Sequence, residues 1–293
     1  MNQVRLPRVT VVGDVGLDVR CLLRAPLAPG DDTPARITGH PGGAAGNTAA
    51  LLASMGVHVD LIARVGDDEA GRATRIELTT HGVTCRFAID PVLPTCRVVV
   101  LVGAGGDRTM VSDRGANAAL HPDDIVLTDT ALPGHLHLSG YVLLDDTSRP
   151  AGLAALQRAG RAGWTTSVDP QTAAGVAAAG ASTFLGWVQG IDLLLPNDAE
   201  LAALGGPDAV LQAAGAVAVT HGRDGASWYS ARERHRTPVD RVTDTDSTGA
   251  GDAFDAGFLA AWLRAAPPAE ALVAGVRAGT HAAGTAGARE TAG

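Results

Sequence analysis

Along most of this chain, short strand patterns alternate with helix patterns, and twice the alternation gives way to a stretch holding strands without helices. Residues 9–12 form a β-branched run ending at Gly13, and residues 59–63, 135–138, 164–168, 191–195 and 216–220 repeat that type. Helix formers fill the segment after PGGAAG up to Gly56, and helices are expected over 68–81, 149–162, 199–204, 207–214, 252–264 and 269–286. Strand–helix alternation of this kind predicts a mostly parallel sheet covered on both faces, with residues 225–243 antiparallel near its edge. The interruptions fall at 19–38, where PLAPGDD separates two strand-like runs, and at 84–112, where DPVLPT and GAGGD separate runs at 86–89, 97–102 and 109–111. Both are assigned to one small sheet. The expected division is a main α/β domain of residues 1–16, 41–84 and 113–293, and a small β lid of residues 17–40 and 85–112.

A chain of 293 residues can bury about three quarters of its unfolded surface around one large core. The formal charge of -8 argues against a nucleic-acid partner, because holding a phosphate backbone needs clustered Lys and Arg. Cys21, Cys85 and Cys96 have neither metal-ligand nor disulfide spacing, and the apolar part of MNQVRLPRVTVVGD is too short for a signal peptide, so a reducing cytoplasm is expected. No apolar run reaches the length of a membrane span, and no membrane partner is expected.

The strongest local signal is DTDSTGAGDAFDAGF, residues 244–258. Ala253, Phe254, Gly257, Phe258, Ala261 and Trp262 lie on one helical face, which puts the glycines at a helix N-terminus. There the backbone amides of Gly249, Ala250 and Gly251 can turn toward one point, and the helix dipole favours an anion. Asp252 is ordinary in a first helical turn, yet beside such a cradle it is also the base that phosphoryl transfer to an alcohol requires.

At this point the chain resembles the ribokinase-like carbohydrate kinases, the PfkB family. TGAGDAFDAGF at 248–258 corresponds to their C-terminal signature and PGGAAGNTA at 41–49 to their N-terminal one; GDVGLD at 13–18 and NDAE at 197–200 fall in register between and before them. The resemblance implies a three-layer α/β fold with a small β-sheet lid, and a kinase using ATP and Mg²⁺. By position Asp252 resembles the catalytic base, and Gly249, Ala250 and Gly251 the anion hole. Asp18, Gly42, Gly43 and Asn47 resemble the residues that hold sugar hydroxyls and let the lid hinge, with Asp14 at a variable substrate-side position. Asn197 and Glu200 match the N-x-x-E motif that organises Mg²⁺ and phosphates, commonly through water, although the same residues fit a plain helix cap. Thr220, Gly222 and Gly225 resemble the nucleotide loop, and Asp246 the position associated with K⁺. His221 stands where the family more often has an apolar residue or Lys, and Arg114 in RGAN reads equally as a residue at the substrate mouth and as a surface ion-pair partner. The stretch AGTHAAGTAGARE lacks a familiar nucleotide strip.

Phosphorylation of a hydroxyl on a small sugar, ribose or fructose or a related sugar acid, is therefore expected, with a nucleoside kinase as the alternative and a noncatalytic sugar-binding protein behind it. A Rossmann dehydrogenase lacks its G-x-G-x-x-G after the first strand, and a P-loop kinase lacks GxxxxGK[ST]. Few aromatic residues stand in either lid segment to stack on a base. Pairing of two chains through their lid sheets is also expected, since a small sheet leaves edges to cover.

Overall fold

A computed structural model describes residues 8–103, 107–239 and 249–284. The chain opens with β1 (Arg8–Val12), β2 (Gly16–Leu23), β3 (Ala35–Gly42), α1 (Ala44–Ser54), β4 (Val59–Gly66), α2 (Glu69–Thr80) and β5 (Thr84–Asp90). There follow β6 (Cys96–Val102), β7 (Arg108–Asp113), β8 (Gly134–Ser139), α3 (Tyr141–Leu144), α4 (Arg149–Arg161) and β9 (Thr165–Asp169). The remainder is α5 (Ala173–Ala179), α6 (Ala181–Trp187), β10 (Ile191–Leu194), α7 (Asp198–Ala203), α8 (Pro207–Val210), β11 (Ala214–Thr220), β12 (Ala226–Ser230), β13 (Arg234–Thr237), α9 (Ala250–Trp262) and α10 (Pro268–Ala283).

Nine strands form the main sheet in the order β13-β12-β11-β10-β9-β8-β1-β4-β5, parallel from β11 to β5 and antiparallel at the β11-β12-β13 edge. Alternate side chains feed two cores. Val9, Val11 and Leu61 pack with Leu52, Phe254 and Phe258 of the helices on one face, while Val12, Ile62, Leu136 and Leu138 pack with Ala151 and Ala155 of α4 on the other. The chain runs from β1 to β4 and β5 on one side and returns to β8 on the other. The carboxyl ends of β1 and β8 therefore flank a switch point, where an open α/β sheet has its crevice.

The lid is a separate four-stranded sheet, β3-β2-β6-β7, drawn from both helix-free stretches. One expected lid strand belongs elsewhere: residues 86–89 lie in β5, which pairs in parallel with β4 from Asp60↔Thr84 to Gly66↔Asp90. With α2 between them, β4 and β5 make a βαβ unit of the main sheet, so the second lid segment begins at Cys96. The helix expected at 207–214 is also shorter, because Ala214 already pairs with Ile191 as β11 begins. Among the described residues no helix is long and apolar enough to cross a membrane.

Candidate active site

Where β3 of the lid runs into α1, the backbone passes two side-chain-free positions. Gly43 has φ 89°, and a Cβ there would strike the Asp14 carbonyl; a Cβ on Gly42 would occupy the place of the Asp18 carboxylate. Asp18 is thereby brought to the foot of the lid, over the turn that starts α1. One turn into α1, Asn47 is buried, and its Nδ2 donates to Asp252 Oδ2 at 2.8 Å. The motifs at 41–49 and 248–258 meet in that bond.

Asp252 stands in the first turn of α9, whose N-cap Gly249 has φ 75°, a left-handed conformation that favours glycine. Ala253 N–H bonds back to the Gly249 carbonyl, so the amides of Ala250, Gly251 and Asp252 precede the regular helical ladder. A Cβ on Gly251 would meet nothing within 4 Å. The open side of that turn and the dipole of a 13-residue helix are features that favour an anion there.

Beneath it lies a polar cavity of about 150 Å³ lined by Asp169, Asn197, Glu200, Thr220, Asp252 and Asp255. Asn197 caps α7 and Glu200 completes a capping box: Glu200 Oε2 accepts from the Asn197 amide at 2.9 Å and Oε1 from Asn197 Nδ2 at 2.8 Å. The cap and the site are therefore one structure, and the two readings of N-x-x-E do not compete. Burial pushes the Glu200 carboxyl up, against the pull of the Asn197 hydrogen bonds. Asp169 and Asp255 are fully enclosed; burial, and then neighbouring carboxylates, raises both well above the ordinary range. Asp255 Oδ2 finds no hydrogen-bond donor among the described residues, and His137 Nε2, at 3.9 Å, gives no counter-charge because burial pushes that imidazole down to about 4. Among the described residues no set of three His, Cys, Asp or Glu side chains converges for direct metal binding. A cavity of carboxylate and amide oxygens fits a Mg²⁺ ion that keeps its waters, and Asn197 and Glu200 are the residues that would hold it through them.

The expected substrate residue Asp14 gives both carboxylate oxygens to Arg114, from Nε at 2.9 Å and Nη2 at 2.7 Å, while Arg114 Nη1 reaches Asp145 at 2.7 Å. Arg114 is thus a largely enclosed clamp between the loop after β1 and the end of α3; of its two readings the ion pair is the one seen, and with the side chain only 19% exposed that pair is enclosed and not on the surface. Its neighbour Asn117 donates from Nδ2 to the Val15 carbonyl at 2.8 Å, fixing the same loop.

A second cavity, of about 190 Å³, shares Thr220 and Gly251 with the polar one and brings in Gly222 and Gly225. The sequence reading missed its far wall, where α10 contributes Val276, Gly279, Thr280 and Ala283. Their i, i+3, i+4, i+7 spacing puts them on one helical face, and that spacing was the available signal. His221 lies outside this cavity; its Nδ1 meets Asp198 Oδ1 at 2.6 Å and its Nε2 meets Ser227 Oγ at 2.8 Å, tying the loop to the start of α7. Asp246, the expected K⁺ residue, falls outside the described residues.

The pattern of the pfkB family carbohydrate kinases matches residues 7–292. The chain is 34% identical to an ATP-dependent ribose-1-phosphate kinase of Halopiger xanaduensis over 96% of its length and 94% of that protein's. Its fold superposes on adenosine kinase from Sinorhizobium meliloti with a TM-score of 0.87, 25% identity and coverage of 98% and 97% of the two chains. It superposes on the fructose-, ADP- and calcium-bound fructokinase of Vibrio cholerae with a TM-score of 0.81, 25% identity and coverage of 97% and 95%. The chain belongs to the pfkB family of carbohydrate kinases, ribokinase-like enzymes that phosphorylate a hydroxyl of a small sugar or nucleoside with ATP.

Proposed function

We propose that this protein transfers the γ-phosphoryl group of ATP to a hydroxyl of a small furanose-type sugar, with Asp252 as the proton acceptor. The observation that carries this reading is the 2.8 Å bond from Asn47 to Asp252, which fixes the acceptor carboxylate where the sugar-side helix and the anion hole face each other. The adenine and ribose of ATP occupy the cavity between the 222–225 loop and α10, and the phosphates run past Thr220 toward Gly249, Ala250 and Gly251. Bound Mg²⁺ supplies charge neutralisation on the phosphate oxygens. The sugar hydroxyl oxygen bonds to the γ-phosphorus as the bond from that phosphorus to the β–γ bridging oxygen breaks; the hydroxyl proton passes to Asp252 and ADP leaves. The amides at the start of α9 stabilise the charge on the moving phosphoryl oxygens.

Asp18 at the lid foot and Asn47 in α1 read adjacent sugar hydroxyls, and Asp14 acts on the substrate only through the loop that Arg114 clamps. A cytoplasmic dimer joined through lid sheets belongs to the same reading. Ile37 and Val111, on the lid face opposite Asp18, are 65% and 59% exposed, which supplies the apolar surface for it. The three relatives are named for ribose 1-phosphate, adenosine and fructose, so a sugar is the shared element. A screen of nucleotide consumption over sugars, sugar phosphates and nucleosides with Mg²⁺, with and without K⁺, tests the reading. Turnover of sugars abolished by Asp252→Asn supports it, and turnover confined to nucleosides overturns its substrate half.

A further inference from the structure

The two faces of the lid differ in chemistry and in cover. In register, Asp18 pairs with His40 and with Val98, and Arg20 pairs with Thr38 and with Val100; these residues share one face with Gly16 and Cys96 at the lid foot. At its inner end that face meets the body of the molecule, where the Asp18 carboxylate lies against Gly42, while Met110 and Ser112 at its β7 edge are exposed. On β3, Thr38 and His40 are half-buried while Ile37, Gly39 and Pro41 between and beside them are exposed, and on β6, Cys96, Val100 and Val102 are buried while Arg97 is exposed. Arg97, on the other face, points to Asp68 at the start of α2, 4.0 Å away. The covered face therefore roofs the cleft above Gly42 and Asn47, and Asp18 stands at its inner end.

Beside Asp18 this roof carries His40, and one pair further out Arg20 and Thr38. His40 Nε2 and Thr38 Oγ1 are 2.8 Å apart, which fixes the imidazole beside the hydroxyl. Arg20 is two strand residues from Asp18, a Cα spacing of about 7 Å. None of the four lid strands contains Phe, Tyr or Trp, so the roof has no aromatic ring to stack on a base, while a guanidinium, an imidazole and a hydroxyl suit phosphate oxygens. We infer that Arg20, Thr38 and His40 form a subsite for a phosphate group already present on the sugar.

The inference rests on the proposed kinase reading and names its substrate class. The acceptor hydroxyl points to Asp252 and the ring hydroxyls to Asp18 and Asn47. The substituent at the opposite end of a pentose, on the anomeric carbon, is then the one that reaches Arg20 and His40. The products are a sugar bisphosphate and ADP, with the hydroxyl proton released through Asp252. Phosphate is favoured over a carboxylate because Arg20 carries a fork of donors and the bonded Thr38–His40 pair keeps one further proton, and a dianion with three terminal oxygens can engage both.

Steady-state kinetics with ribose 1-phosphate, ribose, a sugar acid such as gluconate, and adenosine, on the wild type and on Arg20→Ala and Arg20→Lys, decide the matter. The expected result is a kcat/KM for ribose 1-phosphate roughly 100-fold above that for ribose, the scale of two charge-assisted hydrogen bonds. Arg20→Ala should bring that ratio toward one, and Arg20→Lys should keep part of it. Because the ratio is read within each variant, a loss of folded protein does not mimic the effect. Equal use of ribose and ribose 1-phosphate, a ratio unmoved by Arg20→Ala, or a better rate with gluconate or adenosine would overturn the phosphate subsite and leave the kinase reading standing. Turnover of no sugar, phosphorylated or not, would overturn both.

Discussion

Asn47 Nδ2 donates a hydrogen bond of 2.8 Å to Asp252 Oδ2 across 205 residues of sequence. Asn47 follows the glycine pair that ends the lid, and Asp252 follows the glycines that open the nucleotide-side helix, so one bond sets the distance between the two halves of the site. A neutral donor fixes the carboxylate without taking its charge. Asn47→Ala should lower kcat by about 10- to 100-fold, the range of one hydrogen bond to a charged group, with a smaller change in the KM for ATP. An unchanged kcat at saturating sugar would contradict this role.

Arg114 holds Asp14 and Asp145 together, and Asp14 is only 7% exposed. Arg114→Met would leave the Asp14 carboxylate enclosed without its partner. Stability should fall by about 3 kcal/mol, at the low end for a broken buried pair because Asp145 is partly exposed. Urea unfolding at pH 7 measures it, and a loss below about 0.5 kcal/mol would show that the clamp is dispensable.

Much of this was legible beforehand, for reasons that differ by residue. The strand–helix alternation fixes its own period, and the segment from Gly249 to Phe258 carries both a glycine-rich start and an apolar face, so the position of α9 agrees with what the sequence implied. Strand β5 was misplaced because RFAID reads as a strand in either sheet; only its pairing with β4 decides, and pairing is not a local property. The bond from Arg114 to Asp14 spans 100 residues and leaves no local trace. The short helices α5 and α6 escaped notice because Gly180, at φ 85°, splits them into pieces of seven residues each, below the length at which periodicity speaks.

Asp169 and Asp255 give a pH dependence with a definite sign. Burial, first, raises both folded-state pKa values, with the Glu200 and Asp252 carboxylates adding to it at Asp169 and the Asp169 and Asp252 carboxylates at Asp255, while in the unfolded chain these groups ionise at about 3.9. A raised folded pKa means stability that is complete below the unfolded value and is lost as pH climbs toward the folded one. Asp255→Asn removes one of the two acids, so its unfolding free energy should fall less than that of the wild type as pH rises from about 5 to 8. Urea midpoints taken across that range would count against the account if the two profiles ran parallel.

Glu200 accepts from both the amide and the side chain of Asn197, and the carboxylate lines the polar cavity. Glu200→Gln keeps an oxygen for the cap and removes the charge. The Mg²⁺ concentration giving half-maximal rate should rise roughly tenfold or more, as the loss of a charged partner in the outer shell of a metal does. A Mg²⁺ titration of the initial rate checks it, and an unshifted curve would remove Glu200 from the metal's surroundings.

The central claim is that Asp252 accepts the proton from the sugar hydroxyl. Asp252→Asn keeps the shape of the side chain and the start of α9 while removing the base. With saturating sugar and ATP, kcat should fall by roughly 10²- to 10⁴-fold, while the dissociation constant for ATP, measured by titration calorimetry, stays within about threefold of the wild type. A variant that turns over at a near-normal rate under those conditions would contradict the assignment.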